Sequence, residues 1–325
     1  MNDFSHPREI LARMMTQHTG QTVRSTEMQV IAGGASGRCL VRTPGQSAAA
    51  GLIGICWTAD RADNASFLPA AHGLAKAGIR VPAVRQEWDA GEGCGACLVE
   101  DLGEQDLLSL RHAPWEQRRK AYREAFRTLH PLYRLRPDWP LQPPFDTALY
   151  RWEQAYFAEH LLGRHLGKNP QAFLHQKPLE EMADWLAALP RVPIHRDCQS
   201  QNIMLRDGEA WLIDFQGMRY GRSEYDIASL LYDPYMALTK EERAELLSLW
   251  AEENGSAPDM AIYSACALQR LMQALGAFAN IGYNQKKDWY LNLIPTGLRA
   301  LREAAALAPV GTHASRVAAC LQTVI

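Results

Sequence analysis

Asp207 and Gly208 stand between two short runs, 203–205 and 210–213, that are largely apolar. An Asp-Gly pair offers two consecutive residues able to take positive φ, which is what a two-residue hairpin turn demands. Folding the chain about that pair leaves little freedom. Position 202 comes opposite position 213, so Asn202 and Asp214 become neighbours at the open end, just below Asp197. Two carboxylates and one amide are therefore expected to converge, although up to 17 residues separate them in sequence.

Those are the ligand types a magnesium–nucleotide site uses. Magnesium prefers oxygen donors, keeps several waters and shares them with substrate phosphates. In phosphoryl transfer one Asp and one Asn hold the metals while a separate Asp orients the accepting hydroxyl. The order His195-Arg196-Asp197, then Asn202, then Asp214-Phe215 matches that template at each named position. Taken alone, His195 reads as a core histidine and Asp197 as a turn cap. A joint match by chance is on the order of one in ten thousand chains or rarer.

The surrounding pattern predicts a bilobal α+β fold, with a small mixed lobe over 1–101 and a larger helical lobe over 102–325. Strands are expected at 38–42, 51–57 and 96–100, each bounded by Gly or Pro. A helix is expected over about 63–76 with Gly78 as its stop, and another from Pro114 to about 132. Prolines 137, 140, 143 and 144 enforce a connector, after which Asp146 can cap a helix carrying Tyr150, Trp152, Glu153, Tyr156 and Phe157. Further helices are expected near 178–189, 222–236, 240–253, 260–281 and 295–307, with Thr239 and Glu242 spaced as a capping box.

The segment 192–215 resembles the catalytic core of the aminoglycoside phosphotransferase family, relatives of the protein kinases. The resemblance implies a kinase using ATP and magnesium, with Asp197 as catalytic base and Asn202 and Asp214 as magnesium ligands. Tyr225-Asp226-Ile-Ala-Ser-Leu-Leu is similar to the family helix whose Asp braces the catalytic loop. Leu98-Val-Glu-Asp-Leu-Gly103 resembles the hinge, which implies adenine contacts around Glu100 and Leu102. Gly33-Gly34-Ala-Ser36-Gly37 falls where a phosphate-covering loop belongs, although a plain hairpin would explain it equally well. Gly-Gly-Ala-Ser, Glu-Asp-Leu-Gly, Leu-Tyr-Asp-Pro-Tyr235, Gln269-Arg270 and Asp288-Trp-Tyr-Leu291 are most similar to the anomeric kinases for N-acetylmuramate and N-acetylglucosamine, a branch that serves peptidoglycan recycling.

Two departures from the protein kinases stand out. Run 51–57 lacks the phosphate-holding lysine, and Lys76 is the only lysine before the hinge. Arg38 or Arg42 is expected to take its place. Asp214-Phe-Gln216 replaces Asp-Phe-Gly, which points to a small-molecule kinase rather than a regulated switch.

For the acceptor, helix 147–166 offers only the acids Glu153 and Glu159 among aromatics, which suits a sugar better than a polycationic antibiotic. Arg270 is the sole charge between 261 and 285. A buried guanidinium needs an anionic partner, either Asp233 or a carboxylate on the substrate. Other acceptors (an aminoglycoside, a choline-like alcohol) and a non-catalytic pseudokinase remain open on the residues alone.

Other classes are disfavoured. A net charge of −2 supplies no basic field for nucleic acid or an anionic membrane. The N-terminal residues lack the basic start and apolar core of a secretory signal, and no apolar stretch reaches 18 residues, so a cytoplasmic location is expected. Nothing points to a protein partner. Cys94-Gly-Ala-Cys97 has no second ligand pair nearby and reads as a turn entering a strand with reduced thiols.

Overall fold

The computed structural model describes residues 7–31, 37–43, 51–91 and 94–325; Gly33, Gly34 and Ser36 lie outside those residues. Five antiparallel strands, β1 (Gln29–Ile31), β2 (Cys39–Arg42), β3 (Leu52–Trp57), β4 (Val84–Gly91) and β5 (Cys94–Glu100), form a sheet in the order β1-β2-β3-β5-β4. The side chains of β3 alternate between faces. Leu52 and Cys56 pack with α1 (Pro7–Thr19), while Ile55 and Trp57 join α2 (Phe67–Lys76) in the main core. Gly54 allows the close approach of α1, since a Cβ there would meet Leu11 and Met15 at 3.0 Å. Neither β4 nor α1 was expected from the pattern. Arg85, Glu87 and Asp89 of β4 are exposed, as suits an edge strand protected by charge.

The larger lobe contains α3 (Trp115–Leu132), α4 (Thr147–Phe157), α5 (Pro170–Leu174), α6 (Lys177–Ala188), α7 (Ser223–Leu231), α8 (Lys240–Asn254), α9 (Met260–Asn284), α10 (Asp288–Leu291), α11 (Ile294–Leu307) and α12 (His313–Gln322). The expected caps form: Asp146 accepts from Leu149 N, and Thr239 with Glu242 makes a reciprocal capping box. One expected helix is shorter. The run proposed for 222–236 stops at Leu231, because Pro234 follows and the Asp233 carboxylate takes the Tyr235 N–H instead. No helix among the described residues is long and apolar enough to cross a membrane.

Two small sheets lie between the lobes, β6 (Val192–Ile194) with β9 (Arg219–Gly221), and β7 (Ile203–Arg206) with β8 (Glu209–Leu212). The second is stitched to the segments beside it. Leu107 N donates to Ile203 O and Leu205 N to Gln105 O, both at 2.8 Å, and Leu212 N donates to Arg80 O at 2.9 Å. Arg206 also ion-pairs with Glu100 at 2.5 Å. Phe215 stacks on Phe67, the first residue of α2, with centroids 5.2 Å apart. Cys94 and Cys97, three apart on β5, point to opposite faces and share no site. All seven cysteines are free.

Candidate active site

The turn forms as its residue types dictate, with Asp207 at φ 53° and Gly208 at φ 80°. Ile203 pairs with Leu212 and Arg206 with Glu209, and one step further Ile213 N donates to Asn202 O at 3.1 Å. Asn202 Nδ2 donates to the Asp197 carbonyl at 2.8 Å. That bond uses the donor end of the amide and leaves Oδ1 for another partner. Asp214 sits in the left-handed region at φ 61°; its Oδ1 accepts from Gln216 Nε2 at 2.9 Å and from Arg38. Left-handed backbone at a non-glycine residue costs about 1–3 kcal/mol and persists only where neighbours enforce it.

Asn202 Oδ1 and the second oxygen of Asp214 are thus two hard donors flanking the loop of Asp197. Among the described residues no group of three His, Cys, Asp or Glu could hold a metal. A pair of oxygen donors still fits magnesium, which takes one or two protein ligands and completes its shell with water and phosphate. It does not fit a structural zinc.

The catalytic loop is held from behind by α7. Asp226 accepts from His195 N at 2.7 Å and Arg196 N at 2.8 Å, which fixes Arg196 at φ 75°. Burial pushes the Asp226 carboxyl up to about 6, against the opposing pull of His195 and the two backbone bonds. His195 is fully buried and its Nε2 lies 2.9 Å from Ile213 O, so it ties the loop to the hairpin. Asp197 Oδ2 accepts from Arg196 Nη1 at 2.7 Å, and Oδ1 lies 4.0 Å from Arg270 Nη2. Burial raises its pKa, but Arg196, then Arg270 and His195, outweigh that and leave the carboxyl below its ordinary value. Asp197 is therefore held ionised with one oxygen turned from Arg196.

The residues expected on the nucleotide side divide. Arg42 is turned away from Asp214: it ion-pairs with Asp101 at 2.7 Å and Glu104 at 2.6 Å, and donates to Gly103 O at 2.9 Å. Those contacts tie it to the hinge. Arg38, its alternative, reaches Asp214 and Gln216. The Glu100 side chain is held by Arg206, and Glu100 N donates to Ala83 O at 2.9 Å. Leu102 is buried, and its N–H has no partner among the described residues.

The acceptor-side residues also divide. Glu153 is fully buried, accepting from Tyr225 OH at 2.8 Å and Gln269 Nε2 at 3.0 Å, with its pKa raised by burial. Asp233 is buried too and accepts from both the N–H (2.8 Å) and hydroxyl of Ser200. Glu153 is enclosed, whereas Asp233 lines a cavity with Tyr232, Pro234, Arg243 and Glu303; through these bonds the two residues brace α4, α7, α9 and the catalytic loop. The ion pair expected between Arg270 and Asp233 does not form. Arg270 donates to Ser229 Oγ at 2.9 Å and to Gln273, and faces Asp197. Gln216 was noted in sequence only as a departure from glycine, and its bond to Asp214 went unread. Arg219 carried no recognisable signal.

Residues 27–266 match the phosphotransferase enzyme family (APH). Two relatives are named N-acetylmuramate/N-acetylglucosamine kinase. The one from Pseudomonas putida is 30% identical over 70% of this chain and 69% of its own length. The one from Neisseria meningitidis is 29% identical over 70% and 73%. Among solved structures, a choline/ethanolamine kinase family protein from Mesorhizobium loti superposes with a TM-score of 0.63 at 16% identity, covering 97% of this chain and 98% of that one. An aminoglycoside phosphotransferase from Streptomyces rimosus, solved with ADP and streptomycin, gives 0.57 at 16% identity, covering 81% and 98%. With the hairpin, the braced loop and the two-lobed fold all in place, this chain belongs to the APH phosphotransferase enzyme family and has its protein-kinase-like architecture.

Proposed function

We propose that the chain is an ATP- and magnesium-dependent sugar kinase that phosphorylates the anomeric hydroxyl of N-acetylmuramate or N-acetylglucosamine. The observation supporting this reading is the hairpin that sets Asn202 beside the residue preceding Asp214 and bonds its amide to the Asp197 carbonyl, in a chain whose relatives bear that kinase name. The nucleotide would lie between the lobes 1–101 and 102–325. Its adenine would meet the backbone of Glu100 and Leu102, and its phosphates would be contacted by Gly33, Gly34 and Ser36.

Magnesium at Asn202 and Asp214 supplies charge neutralisation for the phosphate oxygens. Arg38, already on Asp214, is placed to hold a phosphate in the role of the missing lysine. Asp197 aligns the acceptor hydroxyl and takes its proton. An anomeric hydroxyl is more acidic than an ordinary alcohol, so a carboxylate of low pKa suffices and positioning dominates the rate. Arg270, beside Asp197, would meet a carboxylate on the acceptor, such as the lactyl group of N-acetylmuramate. An intracellular donor would place this activity in the cytoplasm.

The test is transfer from ATP to each sugar, with the linkage read by phosphorus NMR and Asp197→Asn as the control. A sugar 1-phosphate is expected. Turnover of kanamycin or choline but neither amino sugar would overturn the reading.

A further inference from the structure

Gln216 stands where the protein kinases carry glycine, and its side chain is buried between two charged groups. Its Oε1 accepts from Arg38 Nη1 at 3.0 Å, and its Nε2 donates to Asp214 Oδ1 at 2.9 Å. Arg38 Nη2 donates to that same Oδ1, which closes a ring of three side chains. The neighbours dictate the residue type. A guanidinium only donates and a carboxylate only accepts, so the group between them must do both while carrying no charge. A glutamate there would lack the donor, and a lysine would lack the acceptor.

The ring has little room to rearrange. Gln216 lies in the short helical turn Phe215–Gly217, which Met218 N closes onto Phe215 O at 3.0 Å. Phe215 stacks on Phe67 with centroids 5.2 Å apart, and Arg38 Cζ lies 6.0 Å from the Phe67 centroid. The Arg38 side chain is only 6% exposed, whereas that of Asp214 keeps 35% of its surface. Both donors meet Oδ1, and among the described residues nothing donates to Oδ2. An arginine beside a carboxylate often closes on both oxygens through two parallel N–H bonds. Here Nη1, one prong of that fork, is drawn to Gln216 instead.

We infer that Gln216 is a positioning residue that keeps Arg38 from closing on both oxygens of Asp214, and so leaves Oδ2 for the metal ion. This rests on the magnesium reading above and deepens it.

The experiment measures Mn²⁺ affinity at saturating ADP, from the electron paramagnetic resonance of the free ion. It compares wild type, Gln216→Met, Gln216→Leu and the double variant Arg38→Met/Gln216→Met, with melting curves to confirm folding. Either single replacement should weaken Mn²⁺ binding about 10- to 100-fold, the usual cost of losing a hydrogen-bonded neighbour of a metal ligand. The double variant should bind the ion more tightly than Gln216→Met, because the competing guanidinium is gone. In transfer assays the single variants should need more magnesium, with acceptor KM unchanged and kcat largely restored once magnesium saturates. Single variants within about twofold of wild type, or a double variant weaker than Gln216→Met, overturn the inference and leave the kinase reading standing. A wild type that binds no Mn²⁺ overturns both.

Discussion

The proposed metal side and the proposed acceptor side of Asp197 are assembled in different ways. On the metal side, Asn202 and Asp214 are set by one tight turn, two strands and a few short-range bonds, all within residues 195–216. On the proposed acceptor side, Ser229 comes from α7 and Arg270 with Gln273 from α9, and tertiary packing brings them together. The contrast separates two kinds of information. Spacing along the chain fixes the first constellation, whereas helix packing in the larger lobe fixes the second.

Substitutions on the two sides should fail in different ways. The largest effect belongs to the residue they share: Asp197→Asn should lower kcat by about 10²- to 10⁴-fold, the usual worth of a positioned proton acceptor, with acceptor KM little changed. Steady-state kinetics will read it. Asp214→Asn should raise the magnesium concentration for half-maximal rate by at least about 10- to 100-fold, measured by metal titration at saturating nucleotide. If its effect fell on acceptor KM instead, the division into two sides would be wrong. Arg270→Gln should do the opposite, raising KM for a carboxylate-bearing sugar about tenfold with the magnesium requirement unchanged.

The brace beneath both sides has a pH dependence of defined sign. Folding lifts Asp226 from 3.8 to about 6, so the native state holds its proton more tightly than the unfolded chain. That contribution is fully present below the unfolded value and is lost as pH rises through the folded one. Wild-type stability should fall across that window by up to about 3 kcal/mol from this group, a slope that Asp226→Asn should lack. Urea titrations of both proteins from pH 4 to 7 will show it, and parallel curves would refute it. The smallest effect lies outside both sides: Thr239→Ala should cost about 1 kcal/mol by removing the cap of α8, with kinetics unchanged.

Part of the fold was legible because its causes are local. The Asp-Gly turn, the offset from Asn202 to Asp214 and the caps at Asp146 and Thr239 each depend on residues a few places apart. The acceptor side was legible only as the oddity of Arg270 in an apolar helix. Its partners could not be read, because whether α9 presents that residue to Asp233 or to Asp197 depends on how α7 and α9 cross. Glu153 shows the same limit. A glutamate among aromatics on α4 suggested a lining residue, but Tyr225 and Gln269 enclose it, and both come from more than 70 positions away. β4 escaped notice because an edge strand can carry Arg85, Glu87 and Asp89 without the apolar alternation that marks a strand.

The stitching of the second hairpin to residues 80, 100, 105 and 107 has a consequence for how the cleft can move. The span that would meet adenine and the carboxylate that would meet the ion share one rigid frame, so neither can drift relative to the other when the lobes open. Arg38, just before β2, is tied to the same frame through Asp214 and Gln216. A nucleotide held there would settle on a bed already finished before it arrives.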